Sequence, residues 1–219
     1  MKKLLLTMVF SLLYVTSASA EFGVNVGGSG NLGLFAAAAE EKSGTIKKDS
    51  GSEHGAAGWG SMFIEGVMGD RFIVGVDYVP SALATDTTET AKSDQGPDAV
   101  TATTVTNKVQ VDFENLTTLY AAIMVSENLY VKGGVMTVDV ITNESLTTGA
   151  NYANTDLDGS MFGIGYHTLL DNGVFVRVEG NYMEFNGTSL NATGTATDSK
   201  ISLTSLDGVS GKVSIGKSF

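Results

Sequence analysis

Apolar residues recur at every second position along most of the chain, and this alternation constrains the fold more than any other feature. The clearest example lies in segment 71–79, whose alternate residues are Phe72, Val74, Val76 and Tyr78. A period of two places successive side chains on opposite faces of a β-strand. The sequence predicts eight such strands, at about 22–35, 57–68, 71–79, 105–125, 129–141, 159–170, 174–185 and 201–219.

The connections between these strands alternate in length. Three are tight turns built from turn-forming residues, namely Gly69-Asp70, Ser126-Glu127-Asn128 and Asp171-Asn172-Gly173. Four are long and polar, at about 37–56, 80–104, 142–158 and 186–200. Short turns at one end and long loops at the other are typical of transmembrane barrels, whose long loops are extracellular. The pattern therefore predicts an all-β protein, an eight-stranded antiparallel up-and-down transmembrane β-barrel.

Charged residues in the polar phase of the strands distinguish this barrel from a soluble β-sandwich, which shows similar alternation. We expect these charges to form a network inside the barrel lumen, with the members Glu65, Arg71, Asp77, Asp112, Glu114, Lys132, Arg177, Glu179 and Lys212. A sandwich core could not hold so many charges, since buried charges must be paired. Eight strands enclose a lumen just wide enough for side chains to fill. The network could fill the barrel or line a narrow polar path.

Aromatic residues cluster near the strand ends, as expected for the two interfacial girdles of a membrane barrel. Towards the short turns the sequence places Phe22, Phe72, Tyr166 and Phe219. Towards the long loops it places Tyr78, Phe113, Phe162 and Tyr182.

The first 20 residues have the pattern of a secretory signal peptide, 1–20. Lys2 and Lys3 precede an apolar run, and Ala18-Ser19-Ala20 is a small-residue cleavage site. The barrel domain is then 21–219, with 11 basic and 24 acidic residues and a net charge of −13. This charge argues against binding nucleic acid, whose phosphates require basic residues. The chain contains no cysteine, which excludes disulfide and thiolate chemistry.

The last segment, 211–219, resembles the terminal strand of bacterial outer-membrane proteins, which the barrel-assembly machinery recognises. Its signal residues are Val213, Ile215 and Phe219, while Lys217 stands where that family usually has an apolar residue. The whole barrel domain resembles small porin-like barrels of the OmpA, OmpX and OmpW kind. The resemblance implies a location in the outer membrane, contact with its lipid, and the assembly machinery as a partner during biogenesis. We expect a monomer.

No catalytic motif, metal site or cofactor site stands out, and we interpret the protein as a structural or surface-interaction barrel, not an enzyme. Gly28-Ser29-Gly30-Asn31-Leu32-Gly33 matches a nucleotide-binding pattern, but no βαβ unit follows it, so these glycines are assigned to the first strand. A narrow pore for small solutes or ions is one alternative. A lipid A-modifying enzyme is another, for which Ser52 and His54 are the only conceivable members of a Ser-His-acid catalytic set. His167 is expected to fill the interior.

Overall fold

The computed structural model describes residues 22–43, 46–69, 71–85, 88–94, 103–146, 150–194 and 199–219. Within these ranges, no helix is long and apolar enough to cross a bilayer. The predicted signal peptide 1–20 and turn residue Asp70 lie outside the described residues.

Eight long strands make up the molecule, and each is antiparallel to its neighbours. They are β1 (Phe22–Ser43), β2 (Ile46–Met68), β3 (Phe72–Tyr78), β4 (Thr103–Met124), β5 (Leu129–Ser145), β6 (Thr155–Leu169), β7 (Val174–Phe185) and β8 (Ser199–Ser218). Short strands accompany them near the long loops: Leu83–Ala84 and Thr88–Asp94 along β4, Thr188–Asn191 along β8, and Ala150–Asn151 paired with Thr193–Gly194. The prediction of eight antiparallel up-and-down strands is confirmed.

The first and last strands pair with each other and close the sheet into a ring. Their register runs from Asn25 opposite Ser218 to Ser43 opposite Ser199. Two backbone bonds between Val24 and Phe219 extend this seam, with N···O distances of 3.1 and 2.9 Å. A closed ring leaves no row of unpaired backbone groups at the seam, as the interior of a bilayer requires.

The tight turns occur where the sequence predicts them. Gly69 (φ 59°), Asn172 (φ 67°) and Gly173 (φ 75°) adopt the left-handed backbone that such turns need. The predicted long loop 37–56 is different, because β1 and β2 continue through most of it as paired strands. Its small residues show no alternation of apolar and polar positions, so the sequence pattern does not predict strands there. Backbone hydrogen bonds, which join β1 to both β2 and β8, hold most of this stretch in strand conformation.

Apolar side chains cover the outside of the barrel, whereas charged and polar ones are among those buried inside. In β8, Val209, Val213 and Ile215 are 52–62% exposed, whereas Lys212 and Ser214 are 6% and 2% exposed. This arrangement is the reverse of that in a soluble protein, and a bilayer satisfies it. The exposed aromatic residues on the outside are Phe22, Phe72, Tyr78, Phe162, Tyr166, Tyr182 and Phe219.

A β-bulge in β4 overturns part of the predicted alternation. The register with β5 shifts between Glu114 and Thr117. The extra residue reverses the face to which side chains point in the part of β4 that precedes the bulge, nearer the long loops. Phe113 pairs with buried Val140. Both Phe113 and Val111 pack against buried apolar residues of the barrel interior. The expectation that Phe113 belongs to the outer aromatic girdle is therefore wrong.

The same bulge corrects two of the expected lumen charges. Glu114 pairs with Asp139, which lies between the buried Val138 and Val140 and so faces outward. Asp112, which has the same phase as Glu114, accepts a hydrogen bond from Asn143 at the exposed surface (2.9 Å). Asp112 and Glu114 therefore lie on the outer face of the barrel, above its apolar band, and not in the lumen.

Asn115 holds the bulge in place. Its backbone is left-handed (φ 55°), a conformation that asparagine adopts more readily than most residues. Its side chain accepts a hydrogen bond from the Tyr78 hydroxyl and donates one to Asp139, both at 2.9 Å. The bulge is thus tied to both neighbouring strands.

We expect Asn115→Val to destabilise the barrel by about 1–2 kcal/mol more than Asn115→Gly. Both variants lose the side-chain bonds, but only the β-branched valine opposes the left-handed backbone. Urea unfolding of the barrel in lipid vesicles measures the difference. Equal stability of the two variants would show that backbone conformation at Asn115 does not fix the bulge.

Candidate functional site in the barrel interior

Most of the interior of the barrel is divided into two layers, and a smaller apolar cluster that includes Ile73 and Ala122 lies next to the short turns. Near the short turns lies a charged layer that contains Glu65, Asp77, Lys132, Arg177, Glu179 and Lys212, all of them buried. Towards the long loops lies an apolar layer whose buried members are Trp59, Val79, Leu116, Met136, Val138, Val140, Leu157, Met161, Met183, Phe185 and Leu206. The alternation of each strand places both sets on the inner face.

The ion pair between Glu65 and Arg177 forms the centre of the charged layer. Arg177 Nη1 and Nη2 donate to the two carboxylate oxygens of Glu65 at 2.5 and 2.8 Å. The Tyr120 hydroxyl and the Asn25 amide donate to the same carboxylate at 2.6 and 3.0 Å. The paired geometry is the strongest form of an arginine–carboxylate contact. Four donors satisfy the buried carboxylate, which a charge in the interior requires.

Two further ion pairs complete this layer. Lys132 Nζ and the Tyr130 hydroxyl both donate to Glu179 at 2.5 Å. Lys212 Nζ contacts Asp77, which also accepts a hydrogen bond from the Ser61 hydroxyl at 3.2 Å. Three acidic and three basic side chains thus balance in charge inside the barrel.

Six of the nine predicted lumen charges are brought together in this way, and three are not. Asp112 and Glu114 face outward because of the β4 bulge. Arg71 is exposed beside the β2–β3 turn, where its backbone oxygen accepts a hydrogen bond from Met124. A position in the turn leaves Arg71 without the alternation that directs strand residues inward.

Aromatic side chains complete the layer. The Arg177 guanidinium lies 4.4 Å from the centre of the Phe175 ring and 5.7 Å from that of Phe63, and its Nε donates to His167 Nδ1 at 3.0 Å. Lys132 Nζ lies 4.7 Å from the centre of the Tyr120 ring. Rings over a desolvated cation stabilise it further. His167 thus contacts the charged layer.

Two tyrosines of this layer, Tyr130 and Tyr120, were not predicted from the sequence. Each has room because a glycine lies opposite it. A Cβ on Gly165 would lie 2.4 Å from Tyr130 Cζ, and one on Gly75 would lie 2.8 Å from both Tyr120 and Glu65. Gly165 pairs directly with Tyr130 across β5 and β6, and Gly75 pairs with Tyr120 across β3 and β4. A glycine opposite a large inward residue is the signal that could have identified them.

The candidate catalytic residues Ser52 and His54 are not arranged as an active site. Ser52 and His54 lie on the same outward face of β2, opposite Ala38 and Ala36 of β1. Both are exposed, and no hydrogen bond joins their side chains in the described part of the chain. Glu53 lies between them on the opposite face. Within the described ranges, no three His, Cys, Asp or Glu residues are placed to hold a metal ion.

Arg177→Met tests the central ion pair. We expect it to lower the free energy of unfolding by about 3–5 kcal/mol, because Glu65 is left as an uncompensated buried charge. The double variant Glu65→Leu with Arg177→Met removes both charges and is expected to be more stable than Arg177→Met alone. Urea titration of the barrel in lipid vesicles measures all three proteins.

Lys217→Met, at an exposed position near the chain end, removes the same charge type and serves as the matched control; its stability is expected to stay within about 0.5 kcal/mol. Equal effects of Arg177→Met and Lys217→Met would mean that the Glu65–Arg177 pair does not stabilise the barrel.

Several solved structures are similar to this chain, although no protein-family model matches the sequence and no curated protein is significantly similar to it. The outer membrane protein OprG from Pseudomonas aeruginosa is similar over 91% of this chain and 96% of its own, with a TM-score of 0.58 and 12% identity. The outer membrane protein AlkL gives a TM-score of 0.48 at 15% identity, over 94% of each chain. The outer membrane protease OmpT from Escherichia coli gives 0.47 at 9% identity, over 93% of this chain and 99% of its own.

The likeness to OprG extends over nearly the whole of both chains, so the shared feature is the barrel as a whole. At 12% identity it is a likeness of fold. Together with the closed ring of eight strands and the apolar outer band, it shows that this chain is a small β-barrel of the kind that resides in the bacterial outer membrane.

Proposed function

We propose that this protein is a closed outer-membrane barrel that acts through the surface of its long-loop end. The observation that carries the proposal is the filled interior. The charged layer and the apolar layer follow each other along the barrel axis, and the cavity between them has a volume of about 30 Å³. A cavity of this volume holds about one or two water molecules. A filled interior favours a structural or interaction role over transport.

The long-loop end offers the surface for this role. β1 has 22 residues and β2 has 23, whereas a tilted strand crosses a bilayer in about 9–11 residues. The strands therefore extend well beyond the hydrocarbon region at this end. Outer-membrane barrels place their short turns in the periplasm and their long loops outside the cell, so the extension faces the exterior.

Acidic residues dominate this extended wall. On its outer face, Glu184 of β7 pairs with Asp207 of β8, and Glu114 of β4 pairs with Asp139 of β5. Together with the overall excess of acidic residues, they make positively charged partner surfaces the complementary ones. In this proposal the barrel is a monomer in contact with outer-membrane lipid and has no enzymatic activity. The barrel-assembly machinery inserts it by recognising Val213, Ile215 and Phe219.

Conductance measurements test whether the interior is closed. We expect the purified barrel, shown to be folded by its shift between unboiled and boiled gel samples, to give no discrete current steps in a planar bilayer. A 16-stranded porin added afterwards confirms that the bilayer reports channels. Discrete steps from the barrel alone would overturn the closed interior and support a narrow pore for small solutes.

Charge reversal tests the interaction surface. We expect Glu53→Lys with Glu184→Lys to weaken the binding of fluorescent polylysine to intact cells that carry the barrel. Both residues are exposed at the long-loop end, and reversal replaces attraction with repulsion. Glu127→Lys with Asp171→Lys changes the net charge equally at the short-turn end and is expected to have no effect. The same loss from both pairs would contradict the assigned surface and orientation.

A further inference from the structure

The ring of strands is closed over only part of its height, because β3 is much shorter than its neighbours. β3 has 7 residues, whereas β2 has 23 and β4 has 22. It pairs with β2 from Met62 to Met68 and ends at Tyr78. Hydrocarbon requires a closed ring only within the bilayer, so the sheet is free to open where the strands extend beyond it.

The chain that follows β3 runs along β4 and not along β2. The backbone N–H of Val79 donates to Leu116 at 2.9 Å, and the short strands Leu83–Ala84 and Thr88–Asp94 both pair with β4. Among the described strands, the stretch 51–61 of β2 therefore pairs with β1 alone. On the side away from β1, it forms an open edge of the sheet.

Residues 51–56 are the part of this open edge that is best suited to receive another strand. All six are exposed, so both faces of the strand are accessible. Their pairing with β1 is regular, from Gly51 opposite Ala39 to Ala56 opposite Leu34. The stretch contains none of the lysines, prolines or bulges that protect sheet edges in native proteins. Every second residue of such an edge directs its N–H and C=O outward, which gives about three residues able to bind another backbone.

Strand direction and charge select the kind of occupant. Barrels in one membrane share one orientation, so the β2 strands of two copies run in the same direction and cannot pair as antiparallel neighbours. A separate polypeptide is not restricted in this way, and an extended segment of it can add to an open edge in either direction. Glu53 is the only acidic residue in 51–56, and a basic residue at the cross-strand position opposite it is the favourable partner.

We propose that 51–56 of β2 binds an extended, basic segment of another polypeptide, which adds to the sheet as an antiparallel strand. Backbone hydrogen bonds supply the affinity, and Glu53 favours a basic partner. This inference deepens the proposed function and rests on it only for the outward orientation of the long-loop end. It does not depend on whether the barrel conducts.

Hydrogen exchange measured by NMR on the ¹⁵N-labelled barrel in detergent tests the proposal. The probe is a short synthetic peptide of alternating threonine and lysine. In the free barrel we expect every second amide of 51–56 to exchange fast, because it faces away from β1. The peptide is expected to slow the exchange of these amides by at least about tenfold. The amides of β7, which is paired on both sides, are expected to stay unchanged.

Matched probes separate strand addition from attraction between charges. The same peptide methylated at every backbone nitrogen keeps its lysines but has lost its backbone donors, so we expect it to slow no amide of 51–56. Glu53→Gln is expected to weaken binding of the unmethylated peptide by about two- to fivefold. Glu127→Gln changes the net charge equally at an exposed short turn and is expected to leave binding unchanged.

A proline on the open edge tests the backbone directly. His54 and Gly55 are neighbours, so one of them directs its N–H away from β1. The variant is His54→Pro or Gly55→Pro, whichever residue has the fast-exchanging amide in the parent, because proline is tolerated where the N–H faces solvent. We expect it to weaken peptide binding by at least about tenfold. The shift between unboiled and boiled gel samples verifies that the variant is folded.

Slow exchange of all six amides in the free barrel, or no slowing by the peptide, would overturn the proposal. Binding by the proline variant as tight as that of the parent would also overturn it. Equal binding of the methylated and unmethylated peptides would overturn strand addition while supporting the acidic surface of the proposed function. Binding to the purified barrel but not to intact cells that carry it would instead overturn the outward orientation assigned to the long-loop end.

Discussion

Complete pairing of the backbone within a bilayer is the constraint on which the rest of this structure depends. Hydrocarbon offers no hydrogen bonds to exposed peptide groups, so the sheet must return to its own first strand. The pairing of β1 with β8 achieves this closure. Once the ring is closed with eight strands, its interior is narrow, and the inward residue at every second position has to share that space.

The two layers solve this packing problem with different chemistry. In the charged layer, every acidic group contacts a basic one, and tyrosine and asparagine side chains supply further donors to the carboxylates. Large rings fit there because glycines lie opposite them, as Gly165 does opposite Tyr130. In the apolar layer, methionine, leucine and valine side chains fill the part of the interior nearer the long loops without needing polar partners. The outer surface is then left to the lipid.

The sequence predicts the fold well because a period of two and alternating connection lengths are both local features. The seventh strand is found at its predicted bounds, 174–185, and six lumen charges follow directly from strand phase. The failures have one main cause. The bulge at Asn115 adds one residue to β4, and no local sequence pattern indicates it. Asp112, Phe113 and Glu114 were therefore assigned to the wrong face.

Pairings between distant residues could not be read from the sequence either. Glu65 and Arg177 are separated by 112 positions, and only the ring geometry brings them together. The continuation of β1 and β2 beyond the membrane was missed because small residues such as Ala38 and Gly51 lack amphipathic contrast. Their strand conformation comes from hydrogen bonding to neighbouring strands, which is a tertiary effect.

The seam between β1 and β8 also has a kinetic consequence. It joins residues from opposite ends of the chain, Asn25 and Ser218 among them. The sequence separation of its contacts is therefore larger than that of any other strand pair in the ring, and contacts of large separation form slowly. Until the last strand is in place, the backbone edge of β1 remains open to pairing with other chains. A chain interrupted before β8 would retain seven strands and their turns but would present two exposed edges. The integrity of the C-terminal strand therefore decides between a finished barrel and an aggregation-prone sheet.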